Sequence, residues 1–176
     1  MSKIIAIANQ KGGVGKTTTA VNLATAVAAC DKNVLLIDLD PQGNASTGFG
    51  IENINRSAHI YHLLIDQVSV KDVIKSSIVP KLFVIPADTD LAAAEIELRE
   101  RKDREFILDR LLRPITEYYD FIIIDCPPSL GLLTVNALSA SHSVLVPLQC
   151  EFYALEGLAQ LLRSVELVKK NLNPSL

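Results

Sequence analysis

Gln10-Lys11-Gly12-Gly13-Val14-Gly15-Lys16-Thr17-Thr18 stands between a short apolar run, Ile4 to Ala8, and a segment of helical periodicity, Thr17 to Ala29. A strand, a glycine-rich turn and a helix N-terminus in that order build a cradle for phosphate. Glycine permits the tight turn that aims backbone N–H groups at phosphate oxygens, and the helix adds its unpaired amides and positive dipole end. Lys16 is placed to neutralise β and γ phosphates, Thr17 to offer its hydroxyl to Mg²⁺, and Thr18 to bond a phosphate oxygen from the first helical turn. The plain alternative is a turn that merely joins a strand to a helix. Three glycines and two lysines at this spacing weigh heavily against it.

Outward from the cradle, apolar runs of strand length recur: Val34 to Ile37, Leu82 to Ile85, Phe121 to Ile124 and Val144 to Val146. They are continuous rather than alternating, as in parallel strands covered on both faces. Helical segments intervene: Ala20, Leu23, Ala24, Val27 and Ala28 in the first, Asp90 to Glu117 with a break inside, Leu132 to Ala140, and Tyr153 to Lys170. In the last, Leu155, Leu158, Leu161, Leu162, Val165 and Val168 form one stripe. The alternation predicts an α/β fold, a doubly wound, mostly parallel sheet with helices on both faces, formed by residues 1–176 as a single domain. The longest irregular stretch, Gly43 to Arg56, directly follows the second strand, and loops of that length are often functional. The chain stops at Asn173-Pro174-Ser175-Leu176, just after a helix, where another strand is due. A chain incomplete at its C-terminus is expected.

The 176 residues are 49% apolar and carry a net charge of −3. That is enough for one sizeable core and argues against a dominant basic surface, since non-specific nucleic-acid affinity comes mainly from Lys and Arg. No run of about 18 apolar residues and no signal-peptide pattern is present, so a cytoplasmic protein without a membrane partner is expected. The mixed charges from Glu95 to Glu105 predict a solvated helix face laced by i,i+4 pairs. Cys30, Cys126 and Cys150 have neither disulfide nor zinc spacing and read as buried free thiols. His59, His62 and His142 form no ligand spacing with carboxylates, and His59 and His62 read as solvent-facing rather than a metal pair; the tyrosines do not interleave with basic residues as a nucleic-acid stacking surface does.

Two acidic strand ends complete the candidate site. Leu35-Leu36-Ile37-Asp38-Leu39-Asp40-Pro41 puts carboxylates at the carboxyl edge of the second strand, where ligands of open α/β sheets collect. Alone, Asp38 and Asp40 could equally cap the turn before Pro41; the cradle nearby favours a functional role. Phe121-Ile122-Ile123-Ile124-Asp125 is an apolar strand ending in one acid. That layout fixes Asp125 beside the cradle, where it can hold Mg²⁺ directly or through water, and Pro127 and Pro128 stiffen the turn that follows. Asp120, at the other end of this strand, reads as a surface residue.

The cradle departs from the general G-x-x-x-x-G-K-S/T pattern, because Gln10 stands where its first glycine belongs and Lys11 precedes the glycine pair. This resembles the deviant Walker A loop K-G-G-x-G-K-T shared by ParA, MinD, the nitrogenase iron protein and arsenical-pump ATPases. The runs DLDPQGNASTGF, from Asp38, and PLQCEFYALEGL, from Pro147, look like the partition ATPases of the ParA family rather than MinD. The resemblance covers essentially the whole chain. It implies a P-loop ATPase that uses ATP and Mg²⁺ with weak turnover, binding nucleotide through Lys11, Gly12, Gly13, Val14, Gly15, Lys16, Thr17 and Thr18. It also implies that Lys11 reaches a partner's phosphates in a homodimer formed on ATP binding, and that Gly12 stays small because another backbone approaches it. Asp40 is then the switch I residue that orients water, Asp38 supports the Mg²⁺ shell set by Thr17 and Asp125, and switch II follows Asp125.

The functional expectation is chromosome or plasmid partition by a nucleoid-associated protein. Its ATP dimer binds non-specific DNA, mainly through a C-terminal portion missing here, and a ParB-like centromere-binding partner stimulates hydrolysis. The rivals are a MinD-like cell-division-site positioning ATPase and an iron–sulfur ATP-dependent reductase. The second needs cluster ligands in a glycine-flanked setting that Cys126 and Cys150 lack.

Overall fold

The computed structural model describes residues 2–51, 57–149 and 154–176. Among the described residues six strands form one sheet: β1 (Lys3–Ile7), β2 (Val34–Asp38), β3 (Lys75–Ser76), β4 (Leu82–Ile85), β5 (Phe121–Asp125) and β6 (Ser143–Leu145). Their spatial order is β3-β4-β2-β5-β1-β6, parallel throughout except for β3, which runs antiparallel to β4. The expected doubly wound, mostly parallel α/β sheet is therefore present.

The continuous apolar strands are buried on both sides. Val34, Leu35, Leu36 and Ile37 are all inaccessible to solvent. On one face α1 (Lys16–Ala29) lays Ala20, Ala24 and Ala28 over Ile7, Leu36 and Ile123. Alanines at every fourth position keep that face of the helix thin, so it sits close on the sheet. On the other face α3 (Ile60–Leu64), α5 (Leu91–Glu97), α6 (Ile107–Leu112), α7 (Leu132–Ala140) and α8 (Ala154–Asn171) cover Ile4, Ala6, Leu35, Ile37, Ile122 and Ile124. The short helices α2 (Asn44–Gly48) and α4 (Val70–Val73) fill connections.

Several local expectations change. The segment 90–117 is not one broken helix but α5 and α6 with two 3-10 turns, because Asp103 takes a left-handed backbone at φ 53° and Pro114 enters the turn after α6. The charge run follows suit. With α5 ending at Glu97, Arg101 reaches back to Asp66 at 2.5 Å and Arg104 pairs with its neighbour Glu105, rather than forming i,i+4 ladders. The loop after β2 is helical over α2, and residues 52–56 of it lie outside the described residues. His59 is buried, stacked near Tyr61 and edge-on to His62, because Ile60 N–H donates to the Pro86 carbonyl and draws the start of α3 inward. Cys126 is buried as expected, Cys30 is exposed at the end of α1, and Cys150 lies outside the described residues. In α8, Leu161 and Val168 are buried while Leu162 turns outward at 49% exposure, one position off the stripe.

Candidate nucleotide site

Strand register assembles the site. Ile7, Asp125 and Asp38 are partners across β1, β5 and β2, so each lies about 5 Å from the next along the sheet edge. The ladder persists beyond them, with Cys126 N–H donating to the Ile7 carbonyl at 3.1 Å and Leu39 N–H to the Asp125 carbonyl at 2.9 Å. Side chains alternate between faces. Asp125 shares parity with Ile123, and Asp38 with Leu36, both of which pack under α1. The two carboxylates therefore leave the sheet on the side where α1 begins with Lys16 and Thr17.

The cradle itself depends on glycine at two positions. Gly13 and Gly15 hold φ of +74° and +88°, a left-handed backbone that side-chain-bearing residues rarely adopt. Gly15 is the N-cap of α1, with no side-chain cap and no acid in the first turn. The amides at that helix start are thus left for an anion. Val14 is buried and Lys16 only 7% exposed. The Lys16 ammonium donates to the Lys11 carbonyl at 3.1 Å. Burial pushes its pKa down, with Asp125 and then Asp40 opposing. Gly12 is exposed, and a Cβ added there would meet nothing within 4 Å.

The carboxylates differ in their partners. Asp38 is fully buried yet satisfied: Oδ2 accepts from the Ser46 amide at 2.8 Å and the Ser46 hydroxyl at 2.7 Å, and Oδ1 from the Asp40 amide at 3.2 Å. Burial raises its pKa against those hydrogen bonds. Asp125 is equally buried, but neither oxygen meets a donor in good hydrogen-bond geometry among the described residues, and the Thr17 hydroxyl alone acts on it as a donor. Burial pushes it up to about 7, while the Thr17 hydroxyl close by pulls it down, Asp38 and Asp40 raise it, and Lys16 lowers it. A buried carboxylate with no well-formed hydrogen bond beside a threonine hydroxyl is an all-oxygen set suited to Mg²⁺, which keeps most of its waters and takes few protein ligands. The residues present fit that ion.

Asp40 is half-buried and accepts from the Gln42 amide at 3.0 Å. It lines a cleft of about 270 Å³ together with the cradle glycines, Lys16, Thr17, Thr18, Asn44 and Pro128. The structure thus gathers the cradle, the acid after β2 and the turn after β5 around one space. Sequence reasoning missed Ser46, which anchors Asp38, and Asn9. The Asn9 side-chain oxygen Oδ1 accepts from the Lys11 amide at 3.1 Å, and its Nδ2 donates to the Pro147 carbonyl at 2.7 Å. Gln149 also reaches the Gly13 carbonyl at 3.2 Å. Asn9 had one legible signal, a polar residue just past a buried strand and before the glycines. Ser46 had none.

A glycine cradle at the end of a central parallel strand, a helix start open to anions and a buried carboxylate on the adjacent strand define a P-loop nucleoside triphosphatase. A family model described as an AAA domain matches residues 2–176. The chain is 58% identical over its whole length to the sporulation initiation inhibitor protein Soj of Bacillus subtilis, of which it covers 70%. It is 53% identical to the chromosome partitioning protein ParA of Myxococcus xanthus, of which it covers 62%. Among solved structures, a Mycobacterium smegmatis protein described as cobyrinic acid a,c-diamide synthase with bound ADP and magnesium superposes on all of this chain and 71% of its own. Its TM-score is 0.96 at 41% identity. The chain belongs to the Soj/ParA family of partitioning ATPases, and it spans about two thirds of the length of these relatives. No helix among the described residues is long and apolar enough to cross a membrane.

Proposed function

We propose that the intact protein is a Mg²⁺-ATP-driven dimerisation switch that partitions chromosomes or plasmids. The observation that carries this reading is Asp125, buried at the strand end with no well-formed hydrogen bond among the described residues, beside Lys16, Thr17 and the open start of α1. A magnesium–triphosphate supplies both missing charges: its phosphates answer the amides and Lys16, and its cation answers Asp125. The bound ADP and magnesium of the Mycobacterium smegmatis structure support the same assignment.

Each residue then has a distinct task. Gly13 and Gly15 shape the loop so that its amides face the phosphates, and Lys16, already desolvated, meets the β and γ oxygens. Thr17 and Asp125 would hold Mg²⁺, which would supply positive charge against the negative charge that develops during phosphoryl transfer; Asp38, locked by Ser46, fixes the backbone that presents Asp40. Asp40 orients the attacking water. Lys11 completes a second copy's site, a role supported by the open space at Gly12: within one chain nothing demands glycine there. DNA binding by the ATP dimer and stimulation by a ParB-like partner are the remaining parts of the reading, supported by the Soj and ParA relatives.

Calorimetry of Mg²⁺-ATP binding to the intact protein tests the core of this. Lys16→Ala is expected to weaken affinity at least about a hundredfold, since a buried charge-assisted contact is lost. Unchanged affinity in that variant overturns the cradle assignment.

A further inference from the structure

The Glu95 carboxylate has no part in the nucleotide site, yet it sits on the far end of the turn that leaves it. The turn after Asp125, which the resemblance makes switch II, leads on to α7. It starts in the sheet centre after Asp125, brings Pro128 to the nucleotide cleft, and ends at Gly131, the N-cap of α7. Glu95, on α5, accepts from the Leu133 amide in the first turn of α7 at 3.3 Å. Its carboxylate also lies directly over Gly131, where an added Cβ would stand 2.0 Å from Oε1. An anion over otherwise uncapped helix amides is stabilising. Thr134 assists, donating from its hydroxyl to the Ser129 carbonyl at 2.6 Å. Two residues along α5, Glu97 accepts from the Tyr61 hydroxyl of α3 at 2.8 Å. One short helix therefore holds α7 just after switch II, and α3 beyond the switch I loop.

We propose that Glu95 is a positioning residue that pins the end of switch II to α5, so that Pro128 and the turn after Asp125 keep the geometry hydrolysis needs. The inference rests on the ATPase reading for its consequence, but the pin itself is a property of the protein without nucleotide. Gly131 gives it a particular signature. Its φ of −80° suits any residue, so alanine there is free of backbone strain. The three atoms nearest its methyl group all belong to the movable tip of Glu95. Gly131→Ala thus expels the carboxylate without altering Glu95.

The test is a double-mutant cycle in the intact protein with Glu95→Ala, Gly131→Ala, the double variant and Glu95→Gln. The first readout is amide hydrogen exchange without nucleotide. Protection of Leu133 and of residues 126–132 is expected to fall roughly tenfold in both single variants, and no further in the double. Glu95→Gln, which keeps an acceptor oxygen, restores most of it. The second readout is turnover. The rate constant at saturating Mg²⁺-ATP is expected to fall about tenfold in the same variants with affinity within about twofold, as misplacement of a positioned group does. Additive effects in the double variant, or unchanged exchange in Glu95→Ala, overturn the proposal. Should wild type fail to bind Mg²⁺-ATP, the ATPase reading falls, and the exchange cycle still decides the pin. If Glu95→Ala does not fold, Gly131→Ala and Glu95→Gln decide it alone: exchange must rise in the first and stay near wild type in the second.

Discussion

Replacing Asp125 by asparagine should make the nucleotide-free protein less sensitive to alkali while disabling it. The carboxyl titrates at 3.8 in an unfolded chain and at about 7 in the fold, raised chiefly by burial. Between those values the folded state keeps a proton that the unfolded state has released. Stability therefore declines as pH rises through that window and is flat above it. Raising a carboxyl that far corresponds to about 4 kcal/mol when fully expressed, of which roughly 2–3 kcal/mol falls between about pH 5 and pH 8. Asparagine has the same shape and no charge to desolvate, so the variant escapes that slope. Thermal melts of both proteins in EDTA should show wild type losing roughly 5–10 °C relative to the variant across this range. Mg²⁺-ATP at a hundredfold excess over Kd should then return about 2.7 kcal/mol to wild type and much less to the variant. Parallel melting curves from pH 5 to pH 8 would refute the claim that burial of Asp125 outweighs what Thr17 and Lys16 offer its charge.

Three further outcomes follow from the site. Asp40→Ala should bind Mg²⁺-ATP and dimerise normally but turn over at least about a hundredfold more slowly, because its carboxylate lines the cleft without supporting the cradle; a normal steady-state phosphate release rate contradicts the water-orienting role. Gly12→Val should retain nucleotide affinity and remain monomeric with ATP, since the side chain has room within one chain; an ordinary dimer by sedimentation contradicts close approach at that glycine. Ser46→Ala should cost about 2 kcal/mol in urea denaturation, because a buried carboxylate loses its hydroxyl donor at 2.7 Å; an unchanged midpoint shows that Asp38 is satisfied without it.

Much of the fold was written locally. Continuous runs such as Ile122-Ile123-Ile124 can only be strands buried on both faces, and glycines before Lys16 and Thr17 can only turn tightly into a helix. Weak local signals misled where long-range contacts prevailed. His59 looks like a polar surface residue until Pro86 anchors the start of α3. The charges after Ile96 look like a helix face until Asp103 adopts a left-handed backbone. The two-residue β3 carries no pattern at all, being recruited by its pairing with Phe83 and Val84.

The amino-acid order alone determined the glycine-rich turn into α1, the two strands ending in acids and the alternation of strands with helices, because each depends on conformational preferences spanning a few neighbours. Tertiary structure alone decided that β5 enters between β1 and β2, setting Asp125 level with Asp38 and beside the cradle. It also decided which acid is satisfied and which is not, and that Glu95 caps a helix 38 residues away. Periodicity reports which side of an element is apolar, whereas strand order and hydrogen-bond partners depend on how those sides pack together across the whole chain.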